Sequence, residues 1–122
     1  MSLRERLHTL VASQEEIAAS EERAEARTAV GCVAVGDLAP RARAKVSGVI
    51  RSVVVRPRDG VPALEAELYD GSGSLALVWL GRREIGGIEP GRRLKVDGMV
   101  CQLDGARTMF NPAYELRPRA GE

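Results

Sequence analysis

Glu65 and Glu67 alternate onto one face of an extended segment, a pairing of carboxylates of the kind that general acid–base chemistry uses. Solvent-facing carboxylates on an amphipathic strand give the same spacing and are far commoner, so the pair reads as surface. Asp70-Gly71-Ser72-Gly73 has the opening of a calcium loop without the further spaced carboxylates, and a tight reversal of the chain explains it fully. His8 is the single histidine and falls in a helical arm, which leaves no Ser-His or Cys-His couple in the later strands. No G-x-x-x-x-G-K-S/T phosphate loop occurs. Cys32 and Cys101 stand far apart outside any paired motif and read as two buried free thiols rather than a disulfide or a metal pair. The expectation is a chain without catalytic residues, metal or cofactor.

The elements that position these residues centre on residues 63–80. Leu64, Ala66 and Leu68 alternate with Glu65, Glu67 and Tyr69, the period of a half-buried strand. Leu75, Leu77 and Trp79 alternate with Ala76, Val78 and Leu80, so the second strand is apolar on both faces. Asp70-Gly71 followed by Ser72-Gly73 joins the two as a hairpin. Before it, residues 44–56 form the longest strand, with Gly48 marking a bend or bulge where one strand serves two parts of a curled sheet. Residues 56–62, Arg-Pro-Arg-Asp-Gly-Val-Pro, read as a loop with a basic tip. After the hairpin, residues 81–91 are too glycine-rich for more than a helical turn. Residues 92–103 are a fourth strand, Asp104-Gly105 a second hairpin turn, and residues 107–116 a fifth strand interrupted at Asn111-Pro112. Five strands, the longest first, with two hairpins and a lone connection between the third and fourth, give an all-β fold: the Greek-key barrel order of an OB-fold, which accounts for the break between strands three and four better than its competitor, an SH3-like five-stranded sheet.

Ahead of the barrel at 44–118, residues 1–30 read as an acidic helical arm and residues 31–43 as an extended lead-in. Ser2 to Glu5 fits a capping box, with Leu3, Leu7, Leu10 and Val11 at helical spacing behind it. That stripe has two readings, docking on the barrel or pairing two copies of the chain. The arm holds four Arg against six Glu, whereas from Pro40 onward fourteen Arg and Lys face ten Asp and Glu, within a net charge of +1. The barrel is thus mildly basic, weak support for a polyanionic partner. Arg4, Glu5, Arg6 and His8 stand where a signal peptide would be apolar, and no 18-residue apolar run is present, so a cytoplasmic address is expected.

The runs V-S-G-V-I-R-S-V, L-Y-D-G-S-G-S-L-A-L-V-W-L-G, I-E-P-G-R-R-L-K-V-D-G-M-V and M-F-N-P-A-Y-E-L resemble the OB-fold nucleic-acid-binding superfamily over roughly residues 44–117. Within it the sequence is similar to the wedge domain of fork-reversing DNA helicases and to the anticodon-binding barrels of some aminoacyl-tRNA synthetases. As a whole it resembles small stand-alone actinobacterial OB-fold proteins. The resemblance implies binding of single-stranded or branched DNA, or of RNA, by the face of strands two and three and its rim loops, through cations on phosphates and flat side chains under bases. Carried onto this chain, it marks Arg56, Arg58 and Arg107, with Arg51 beside them, and Arg82 and Arg83, with Arg92 and Arg93, around the connection after strand three. Tyr69 is the candidate stacking residue. Trp79 shares a face with Leu75 and Leu77 and reads as core, while Phe110 and Tyr114 fit either plug or platform. So few aromatics imply weak, salt-sensitive affinity. The rival expectation, favoured by Glu65 and Glu67 on the binding face, is a protein-interaction module.

Overall fold

The computed structural model describes residues 14–23 and 31–118. The expected capping box at Ser2 to Glu5, the stripe of Leu3, Leu7, Leu10 and Val11, and His8 lie outside the described residues. Residues 14–23 are helical (α1). Seven strands follow: β1 (Arg43–Arg58), β2 (Val61–Tyr69), β3 (Ser74–Leu80), β4 (Arg93–Met99), β5 (Cys101–Leu103), β6 (Ala106–Phe110) and β7 (Ala113–Leu116). They form one sheet in the order β5-β6-β3-β2-β1-β4-β7. All its ladders are antiparallel except that of β3 with β6.

The five expected strands are visible within these seven. β4 and β5 are one run of chain bent at Val100, and β6 and β7 are one run broken at Asn111-Pro112. The order is that of an OB-fold, but its expected closure is only partial. Hydrogen bonding stops at β5 on one side and β7 on the other, and the chain itself joins β4 to β5. Val100 explains the break. It donates to the Ala42 carbonyl and accepts from the Arg41 N–H, so its hydrogen bonds go to the segment before β1 instead of a ladder.

β1 serves two partners. Its first half pairs with β4 through Val49, and from Val49 onward it pairs with β2. Gly48 sits at the changeover, where a Cβ would lie 2.5 Å from the Tyr69 carbonyl oxygen, so only glycine lets the two strands come this close. A bulge between Ile50 and Ser52 follows at once. The loop expected at residues 56–62 is absent. Arg56 pairs with Ala63, Pro57 with Pro62 and Arg58 with Val61, leaving a two-residue turn at Asp59 (φ 50°) and Gly60 (φ 78°). These angles belong to a primed hairpin turn, which matches the strand twist. The two prolines made the segment look like a loop, but their paired position at the hairpin end requires no further ladder partner.

The inner faces of the strands bury Val46, Ile50, Leu64, Leu68, Leu75, Leu77, Leu94, Val96 and Met109. The lead-in, expected to be extended, contributes a 3-10 turn at Val35–Asp37, and Val35 and Leu38 enter the same core. Its anchor is Asp70, which is buried. The Asp70 carboxylate accepts the N–H of Val35 at 2.8 Å, of Ser72 at 2.9 Å and of Gly73 at 3.2 Å, and the Ser72 hydroxyl at 2.6 Å. One side chain thereby shapes the β2–β3 turn and ties the lead-in to it.

α1 docks on the outside of that turn. The Arg23 guanidinium donates to the Gly71 carbonyl at 2.8 Å, and Arg93 of β4 grips Glu22 with both terminal nitrogens, at 2.5 and 2.9 Å. Gly71 has φ +88°, and a Cβ there would overlap the Ala19 carbonyl and the Arg23 backbone. Gly71→Ala is expected to release residues 14–23, seen as faster amide exchange in that segment alone. Gly60→Ala is the control, because Gly60 has a similar φ of +78° but open space around it. Both variants bear the backbone cost of about 1 kcal/mol, and only Gly71→Ala is expected to free the helix.

Candidate functional site

The outer faces of β1, β2 and β3 form a groove of about 560 Å³. Strand register sets its floor in rows: Val54 and Glu65 in one, Ser52, Glu67 and Ala76 in the next. Arg56 stands at one end, and the β5–β6 hairpin supplies the opposite wall with Gln102, Gly105 and Arg107. That hairpin turns at Asp104 (φ 51°) and Gly105 (φ 79°), repeating the geometry of the β1–β2 turn. No residue of α1 lines the groove.

The arginines marked by sequence fall into five situations. Arg56 and Arg58 are two residues apart on β1, so their side chains share a face, and both meet Glu65. Arg58 approaches it at 2.6 and 2.7 Å through two nitrogens, and Arg56 at 3.6 Å. Arg107 reaches across toward the lead-in, donating weakly to the Gly36 carbonyl at 3.4 Å. Arg51, turned by the bulge, lies over the Tyr69 ring with its guanidinium carbon 3.3 Å from the centroid. One face of Tyr69 is therefore already covered by a cation. Arg82 and Arg83 are exposed on the connection after β3 and do not line the groove. The Gly81 N–H on the Pro62 carbonyl holds that connection beside the end of β2 next to the β1–β2 turn. Arg92 and Arg93 are half-buried, the latter engaged by Glu22.

The aromatic side chains sort as their surroundings dictate. Trp79 is buried, donates its indole N–H to the Pro112 carbonyl at 3.1 Å, and meets Tyr114 edge-on with centroids 5.9 Å apart. Phe110 sits half-buried at the rim, 5.8 Å from the Arg58 guanidinium. Both cysteines are free but only half-buried, which corrects the expectation of buried thiols. Burial pushes the Cys32 thiol up, against the opposing pull of Lys95, Lys45 and Arg117.

Sequence reasoning missed Ser52, Gln102 and Arg23. The first two are unremarkable by type, and only strand pairing brings them to one groove. Arg23 lay in a segment whose composition gives helix propensity but no docking partner. Among the described residues no group of three or more His, Cys, Asp or Glu is placed to hold a metal ion, and no helix is long and apolar enough to cross a membrane.

The chain matches no family model and no curated protein. It is similar to RecG in a solved complex with a three-way DNA junction, with TM-score 0.60 and 24% identity over 74% of this chain and 13% of that one. It is also similar to a replication factor A related protein from Methanobacterium thermoautotrophicum, with TM-score 0.53 and 14% identity over 70% of this chain and 90% of that one. The chain thus spans about one eighth of the RecG chain and most of the archaeal protein. These likenesses, with the strand order, give the fold as an OB-fold.

Proposed function

We propose that the protein is a non-catalytic, cytoplasmic module that binds single-stranded or branched nucleic acid, DNA foremost, by contacts to backbone phosphates along this groove. The observation that carries the reading is that two separate hairpins bring Arg56 and Arg107 to the lining of one open groove on an OB-fold, with Arg58 beside it on the floor residue Glu65. OB-folds take oligonucleotides on the corresponding strand face, and RecG, which shares the fold, was solved on a DNA junction. The chain spans only 13% of RecG, which suits a role as accessory to a larger enzyme. Affinity is held down in two ways: Glu65 partly neutralises Arg56 and Arg58, and one face of Tyr69 is covered. Titration of labelled single strand, three-way junction, duplex and RNA at two salt concentrations tests the proposal. Three phosphate contacts predict a slope of log K against log salt of about −2 for a single strand. Failure of every polynucleotide to bind at low salt would sink it.

A protein-docking role has one specific observation in its favour. Val55, Val61 and Leu80 are 50%, 43% and 43% exposed around the β1–β2 hairpin end, apolar surface of the kind that partners cover. A failed titration at low salt would favour it.

A further inference from the structure

We infer that Glu67 makes the groove select guanine among the bases of a bound single strand. The inference rests on the nucleic-acid reading above and adds the base to it. Two carboxylates lie on the floor, and they are not equivalent. Glu65 is neutralised by Arg58 and Arg56. Glu67 accepts one hydrogen bond, from the Ser74 hydroxyl at 2.9 Å, and pairs with no cation among the described residues. It is half-buried, and its cross-strand neighbours are Ser52 and Ala76. Two small side chains leave space for a flat ring beside the carboxylate.

A carboxylate there repels phosphate, so a strand entering the groove keeps its backbone on the arginine-bearing margins and turns its bases to the floor. Unpaired bases present their Watson–Crick edges. An ionised carboxylate accepts hydrogen bonds and donates none. Guanine offers it two adjacent donors, the ring N1–H and the 2-amino group. Thymine offers one N–H flanked by two carbonyls, which the carboxylate repels. Adenine and cytosine each offer an amino group next to a ring nitrogen lone pair. Guanine is the base whose edge is complementary in both positions, and a mismatched edge leaves the half-buried carboxylate without a partner in place of water.

Fluorescence anisotropy of the whole chain with labelled oligonucleotides decides the matter. The set is alternating thymidine–guanosine, thymidine–inosine (which lacks the 2-amino group), thymidine–cytidine and thymidine alone. The wild-type protein is expected to bind thymidine–guanosine about tenfold tighter than thymidine alone, with inosine between them. Glu67→Gln, whose amide both donates and accepts, is expected to erase most of that preference by binding thymidine better. Ala76→Leu fills the space beside the carboxylate and is expected to erase it with the charge retained. Circular dichroism checks that both variants are folded. Equal wild-type binding of thymidine–guanosine and thymidine alone, or an undiminished preference in Glu67→Gln, overturns the selectivity and leaves the nucleic-acid reading standing. Absence of binding by all four oligonucleotides overturns both.

Discussion

Replacing Arg56, Arg58 and Arg107 together with glutamine is expected to weaken single-strand binding about 100-fold at low salt and to flatten the salt dependence by about two units of slope. Each arginine lost removes a phosphate contact worth about 1 kcal/mol and the counterion release that accompanies it. The structure dictates glutamine over glutamate. Arg56 and Arg58 both face Glu65, whose side chain is only 16% exposed. Charge reversal would gather three carboxylates there and confound loss of binding with loss of folding. With neutral replacements the Arg56 pair is a loose, exposed one worth at most about 1 kcal/mol, and a glutamine at 58 can still donate to the part-buried Glu65, so the melting temperature is expected to fall by less than about 10 °C. A variant that keeps wild-type affinity and slope would remove these arginines from the interface. Because Glu65 is already in contact with Arg56 and Arg58, a single substitution at either is expected to have a smaller effect than a third of the total.

The largest expected effect on folding belongs to Asp70→Ala. It strands the buried N–H of Val35 and removes three further hydrogen bonds that shape the β2–β3 turn. Leaving buried donors unmade costs about 1–3 kcal/mol for the worst placed of them. A total near 3 kcal/mol corresponds to a melting temperature lower by about 10–20 °C in a domain of this size. Asp70→Asn separates shape from chemistry. Its amide keeps one acceptor oxygen and sets an N–H₂ against the other set of donors, so it too is expected to melt early. A shift of less than about 3 °C in both variants, followed by circular dichroism, would mean that the turn and the lead-in hold without this side chain.

The sequence made the strands legible wherever burial alternates along them. Leu64, Ala66 and Leu68 against Glu65, Glu67 and Tyr69 place the two faces of β2 directly, because a period of two has no other reading at that length. The Asp-Gly turns at Asp70 and Asp104 were equally readable, whereas the one at Asp59 was hidden by its flanking prolines and read as a loop. What alternation does not carry is pairing between distant residues. Val100 breaks the ladder through hydrogen bonds to Arg41 and Ala42, some sixty residues away in sequence, and nothing local marks it. The site suffered the same limit. Arginine at 56 and 58 and glutamate at 65 were each visible, but their mutual neutralisation follows from the register of β1 on β2. Tyr69 was recognised as outward-facing, and the bulge that swings Arg51 across it is a backbone event with no residue-type signature.

The seat of Trp79 has a practical consequence for anyone measuring this protein. It is the chain's one tryptophan, lies on the side of β3 that faces away from the groove, and is held by Pro112 just before β7. Its emission is therefore a sensor of whether the final strand is seated, and a blind one for occupancy of the outer face. A ligand titration followed by tryptophan emission alone would stay flat even at saturation. Heat or denaturant would move the same signal from the start of unfolding.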